Sequence, residues 1–311
     1  PGLRLPLFPR HRGSERHNRL YHRSQGDLRR DQGKPANPSF FQDKIRMKVA
    51  LKLAYLGDNY YGFQKQPDRV TVDSQVRRAL AQIGVIHGDF CYAGRTDRGV
   101  SALGQVIDFW IDEDKVDLAR PRCVNGRLPR DIWTWAWSIA PVGFSARWNA
   151  LWREYQYLLW HPGLDRDLME EAAEMLLGEH DFRNFSSAKV GTVKRVEKLE
   201  ISERNGLFIF DIRADGFLWN MVRKIVGAIE KVGSGQKDMR WFRDLLRPEL
   251  NHGAPTAPAE GLILMEVGYE GLDWHVDQYS RARAGRMLAG TVQKRMAGAM
   301  VALELERAME V

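Results

Sequence analysis

Cysteine is scarce in this chain of 311 residues, with only Cys91 and Cys123. Their spacing fits neither a metal-ligand pattern nor a disulfide framework. That argues against small disulfide-stapled folds and zinc modules, and it predicts a reduced, cytoplasmic setting in which both thiols pack. No run of eighteen apolar residues occurs, so no membrane span is predicted. Positive charge is also less general than the net +7 suggests: residues 1–46 hold 11 Lys or Arg against 4 Asp or Glu, and residues 47–311 hold 36 of each. The excess sits in one segment, so nucleic-acid contact by the rest must come from local clusters on a neutral body. Apolar residues are plentiful at 44%, enough for one large domain or two smaller ones.

Residues 1–44 are rich in Arg, His, Pro, Asn and Gln without an apolar period and read as a disordered basic tail, with neither a signal-peptide core nor a transit-peptide pattern. From Met47 onward Val49, Leu51, Leu53 and Tyr55 alternate as a half-buried strand. The Tyr60–Pro67 segment interleaves Tyr61, Gln64 and Lys65 with aromatics, a composition suited to bases and phosphates or equally to a core-edge loop. Thr71 is a predicted N-cap for a helix with Val72, Val76, Leu80 and Ile83 on its apolar stripe, ending at Gly84. Further on, Asp117–Gly126 reads as helix and Ile132–Ala140 as a strand whose Trp133, Trp135 and Trp137 share a face, more in the manner of packing than of base binding.

Pro141-Val142-Gly143 marks a boundary, so the organisation expected is a tail (1–44), an N-terminal half (45–143), a C-terminal half (144–275) and a terminal helix (276–311) that packs on the body or a partner. In the second half, residues 151–160 alternate with Arg153, Tyr155, Tyr157 and Leu159 on one face. Asp165–Leu177 is predicted helical and His180–Phe185 a polar-aromatic loop. Val193–Glu203 and Leu207–Ala214 form a hairpin about Asn205-Gly206, and Phe217–Val232 is a long amphipathic helix closed by Gly233. A helix over Asp238–Leu246 and a last strand opening at Glu260 follow.

The stretch that organises the rest lies between the short apolar strand Phe90–Ala93 and a second strand, Val106–Ile111. There Gly94 and Gly99 bracket Arg95, Thr96, Asp97 and Arg98, placing one carboxylate between two guanidinium groups on backbone able to turn sharply. A turn of this kind presents side chains to a cleft, although Thr96 and Asp97 would serve an Asx or Ser/Thr turn equally well.

Gly94-Arg95-Thr96-Asp97-Arg98-Gly99-Val100, continuing through Ala102 and Gln105-Val106, resembles the signature of the TruA-type tRNA pseudouridine synthases. Asp97 matches the catalytic Asp of that signature, while Ser101 stands where the family commonly has His. Arg153-x-Tyr155-x-Tyr157 is similar to the second family motif and Phe217-Leu218-x-x-Met221-Val222-Arg223 to the third. The resemblance runs over residues 47–270. It implies an α+β fold of two similar halves of antiparallel sheet backed by helices, joined into one continuous sheet with a central cleft. It further implies a homodimer that isomerises uridine at positions 38 to 40 of the tRNA anticodon stem-loop without cofactor or metal. Asp97, Tyr155 and Arg223 are the expected catalytic set, with Arg95, Arg98, Tyr61, Gln64, Lys65, Gln105, Arg147 and Arg153 contacting RNA. A non-catalytic RNA-binding module, a synthase acting on other RNA positions, and a glycosidase or nucleoside hydrolase using Asp97 are the alternatives.

Overall fold

Apolar residues recur at every second position in segments such as Val49–Tyr55 and Leu207–Ala214, and the computed structural model assembles ten strands into one sheet. It describes residues 45–85, 89–188 and 190–309; the expected basic tail lies outside these. In chain order the strands are β1 (Arg46–Tyr55), β2 (Cys91–Tyr92), β3 (Ser101–Asp112), β4 (Ile132–Ala140), β5 (Trp152–Trp160), β6 (Gly178–Asp181), β7 (Val193–Arg204), β8 (Leu207–Ala214), β9 (Leu262–Gly268) and β10 (His275–Val276). The helices are α1 (Val72–Gln82), α2 (Pro121–Asn125), α3 (Arg166–Glu174), α4 (Met221–Gly233), α5 (Met239–Leu245) and α6 (Gln278–Met309). The fold is therefore α+β, built on one mixed sheet in the order β10-β4-β1-β3-β9-β5-β8-β7-β6, with β2 also on β3.

Every named strand pair is antiparallel except one. β3 meets β9 in parallel register, Ser101 opposite Ile263 and Ala102 opposite Leu264, and this seam joins β1–β4 to β5–β9, with the short β10 returning to the β4 edge. The two backbones come so close there that a Cβ on Gly104 would lie 2.4 Å from the carbonyl oxygen of Met265. Lys52 of β1 crosses toward the same strand, placing Nζ 2.5 Å from Glu266 Oε1, with Trp274 and Trp135 rings 4.9 and 5.2 Å from the ammonium. A continuous apolar core runs beneath the sheet from Tyr55, Phe63 and Phe109 to Tyr157, Phe210 and Phe242.

Local signals located most elements. Thr71 forms a capping box with Ser74, each side chain bonded to the other's backbone. Asn205 and Gly206 turn the β7–β8 hairpin with φ of 53° and 79°. Elsewhere the structure corrects the sequence reading. The segment expected as helix over Asp117–Gly126 is a 3-10 turn over Glu113–Ala119 and then α2, because Pro121 cannot donate within a helix and instead begins one. The loop expected at His180–Phe185 contributes the end of β6 and a 3-10 turn at Arg183–Phe185. Of the three tryptophans of β4, Trp133 is buried beside Ala54 and Ala284, Trp135 donates its indole N–H to Leu103 O at 2.8 Å, and Trp137 packs on the main core. Helix α6 buries Ser280 and Ala284 and is otherwise largely exposed. No helix among the described residues is long and apolar enough to cross a membrane.

Candidate active site

Residues 94–100 are held from both sides. Gln105 Nε2 donates to Gly94 O at 2.8 Å from beneath, Tyr55 Oη lies 2.7 Å from Thr96 Oγ1, and Phe63 N donates to Thr96 O at 3.0 Å. Gly62 makes that last approach possible: its φ is +83°, and a Cβ there would sit 2.7 Å from Thr96 O. Ser101 accepts a hydrogen bond from Gly57 N at 3.1 Å and so ties the same two loops together. A turn fixed at this many backbone points leaves the Asp97 side chain little freedom.

Two side chains from the opposite half grip that carboxylate. Arg223 Nη1 lies 3.2 Å from Asp97 Oδ2, and Trp219 Nε1 donates to Oδ1 at 3.2 Å. Arg223 is itself aimed, since its Nε donates to Ala257 O at 2.8 Å and its Nη1 to Asn220 Oδ1 at 3.1 Å. The sequence period places Phe217–Asn220 in the helix, and here the structure differs: α4 begins at Met221, after Asn220 takes the left-handed conformation with φ 64°. That kink turns the Trp219 indole toward Asp97. Nothing in the apolar pattern signals it, because Trp219 fits a helix period as well as a loop.

Tyr155, on β5, packs edge-on against Phe217 with ring centroids 5.1 Å apart. Burial pushes its phenol up to about 12, opposed by the Arg153 guanidinium and reinforced by the Asp97 carboxylate. The hydroxyl is therefore protonated throughout the neutral range.

Asp97, Tyr155 and Arg223 line one cleft of about 950 Å³, as do Tyr61, Gln64, Arg95, Arg98, Arg147 and Arg153. Tyr61 is flanked by the guanidinium groups of Arg69 and Arg98, each 4.5 Å from its ring centre, whereas Arg95 carries no hydrogen bond or ion pair among the described residues. Three of the expected RNA contacts read differently in three dimensions. Gln105 is fully buried and supports the turn from below. Lys65 is exposed but is not among the cleft-lining residues. Arg153 spends its donors on the carbonyls of Ala93, Arg147 and Asp215 at 3.1–3.2 Å, clamping three loops around the cleft. Sequence reasoning also missed Trp219, Trp148 and Lys194, all of which line the cleft. No group of three or more His, Cys, Asp or Glu side chains placed to hold a metal occurs among the described residues.

Comparison with known proteins gives the chain its class. A family model described as tRNA pseudouridine synthase matches residues 172–270, which include Arg223. The tRNA pseudouridine synthase A of Methanothrix thermoacetophila is 58% identical over 263 residues, covering 85% of this chain and 98% of that one. That of Methanocella arvoryzae is 41% identical over 268 residues, covering 85% and 100%. The chain belongs to the tRNA pseudouridine synthase A family, whose members are isomerases. By backbone shape, a crystal structure of a Cbf5-Nop10-Gar1 complex overlaps 70% of this chain and 59% of that one at 14% identity, with a TM-score of 0.31, too slight a likeness to add to the relationship.

Proposed function

We propose that this protein converts uridine to pseudouridine at positions 38 to 40 of the tRNA anticodon stem-loop, as a homodimer, with Asp97 as the catalytic carboxylate. The observation that carries the reading is a carboxylate with both oxygens held, by Arg223 and Trp219, in a cationic cleft that also contains Tyr155. The reaction breaks the C1′–N1 bond, turns the uracil, joins C5 to C1′, releases the C5 proton and leaves N1 protonated. Asp97 faces the developing positive charge at C1′, either stabilising it or bonding to it. Tyr155 packs against the detached ring and keeps it from diffusing away. With its phenol protonated at neutral pH, its hydroxyl donates a hydrogen bond to a uracil oxygen or relays a proton. Arg223 acts through Asp97 as a positioning residue. The target base has to leave its stack, at a cost of a few kcal/mol, and Arg95, a cleft-lining cation without an ion pair among the described residues, is able to fill the gap.

Tritium release from tRNA labelled at uridine C5 tests this directly. Asp97→Asn should release no label while binding tRNA with wild-type strength, and release near the wild-type rate would end the assignment. The assay also separates the rivals. A binding module releases nothing even as wild type. A hydrolase, for which Asp215 is the other carboxylate lining the cleft, would free the base without expelling its label.

A further inference from the structure

The crossover between β4 and β5 is pinned more firmly than an ordinary surface loop. Ala146 N donates to Asp108 Oδ1 at 2.6 Å, and Asp108 is itself buried with its Oδ2 2.7 Å from Lys48 Nζ. Tyr269 Oη donates to Ala146 O at 2.5 Å, and Arg153 Nη2 to Arg147 O at 3.1 Å. Asn149 closes the loop on itself, its Oδ1 accepting from Ser145 N at 2.8 Å and its N donating to Ser145 O at 3.0 Å. All of this holds in place a tryptophan, Trp148, that is 77% exposed. Exposure of a single ring is by itself ordinary, but this one is held on pinned backbone at the cleft that contains Asp97.

The surroundings state which ligand. Trp148 lines the same cleft as Asp97, and the Arg147 guanidinium sits 4.6 Å from its ring centre. The cation lies over one side of the ring, and at 77% exposure the residue remains open to a planar π system. Arg95, Arg98 and Lys194 line that cleft, a cluster that favours a polyanion. The cleft volume of about 950 Å³ lies at the upper end of the range for single small-molecule sites, about 300–1,000 Å³, leaving space beside the reacting nucleotide. We infer that Trp148, backed by Arg147, is a stacking subsite for an unpaired nucleobase neighbouring the reacting uridine. The inference rests on the proposed reading of the cleft as an RNA site and adds to it a place for a second base.

The test measures binding of an anticodon stem-loop RNA by fluorescence anisotropy in the Asp97→Asn background, where turnover does not intrude. Adding Trp148→Ala should weaken affinity about 5- to 150-fold, the range for loss of one base–aromatic stack, and Trp148→Phe should restore most of it. Abasic nucleotides are then placed in turn on either side of the target. At one position the abasic RNA should weaken the Asp97→Asn protein by a similar factor and the protein also carrying Trp148→Ala hardly at all. Unchanged affinity with Trp148→Ala, or additive losses at every position, would overturn the subsite. So would a change in sedimentation with RNA affinity intact, which would make Trp148 a protein contact. Absence of RNA binding by the wild-type protein would overturn the functional reading itself, so the two failures are distinguishable.

Discussion

Tyr155 shows how much one residue's surroundings decide. Its phenol, pushed up to about 12, has a folded-state value above the unfolded value near 10. The stability this difference contributes is fully present below pH 10 and is lost as pH rises toward 12. Wild type should therefore lose on the order of 1 kcal/mol more than Tyr155→Phe between pH 9 and pH 11 in urea unfolding. Parallel losses in the two proteins would show the ring to be solvated. Arg223 makes the complementary point. With the Asp97 side chain 33% exposed in the open cleft, the ion pair adds about 0–1 kcal/mol to folding at most. Its importance emerges when RNA excludes water and an unpaired charge becomes expensive.

At the scale of the element, the start of α4 matters most. Asn220 accepts from Arg223 Nη1 and donates through Nδ2 to Ser187 Oγ at 3.1 Å, while Ser187 N reaches Trp219 O at 3.0 Å. Its left-handed backbone costs an ordinary residue about 1–2 kcal/mol, which glycine avoids. Asn220→Gly should thus unfold close to wild type yet turn over slowly, because Arg223 and Trp219 lose their brace. Asn220→Ala should be impaired in both. Thermal unfolding beside tritium release checks the split, and a fully active glycine variant would remove Asn220 from the positioning network. The N-terminus of α6 is anchored by analogous means. Although burial alone would raise the Asp277 carboxyl, hydrogen bonds from Ser280 and Arg122 outweigh it and hold it below the usual range. That contribution is present at neutral pH and fades as acid protonates the cap.

For the whole molecule, the decisive feature is the parallel seam between β3 and β9. Asp97 precedes β3, Tyr155 lies on β5 opposite Leu264 of β9, and one slip at the seam would separate them. Gly104→Ala drives a methyl group into the Met265 carbonyl and should cost about 1–3 kcal/mol, as overpacking does, with turnover falling further than stability. Equilibrium urea unfolding and label release at saturating tRNA measure the two. An alanine variant with unchanged stability would mean that the halves are not held by this contact.

Resemblance to family motifs singled out Asp97, Tyr155 and Arg223, while sequence alone determined what depends on near neighbours: strand alternation in β1 and β5, the Thr71 cap and the Asn205-Gly206 turn. These are written in spacing, because side-chain period and turn conformation are local properties of the chain. Only the tertiary structure decided that Gln105 supports the turn from below, that Arg153 clamps three loops, and that the chain unwinds at Asn220 to aim Trp219 at Asp97. Most of these contacts join residues well apart in the chain, as Arg153 does with Asp215 and Trp219 with Asp97. A buried amide and a base-reaching one share the same letter, and a helix period cannot distinguish a turn of α4 from the loop before it.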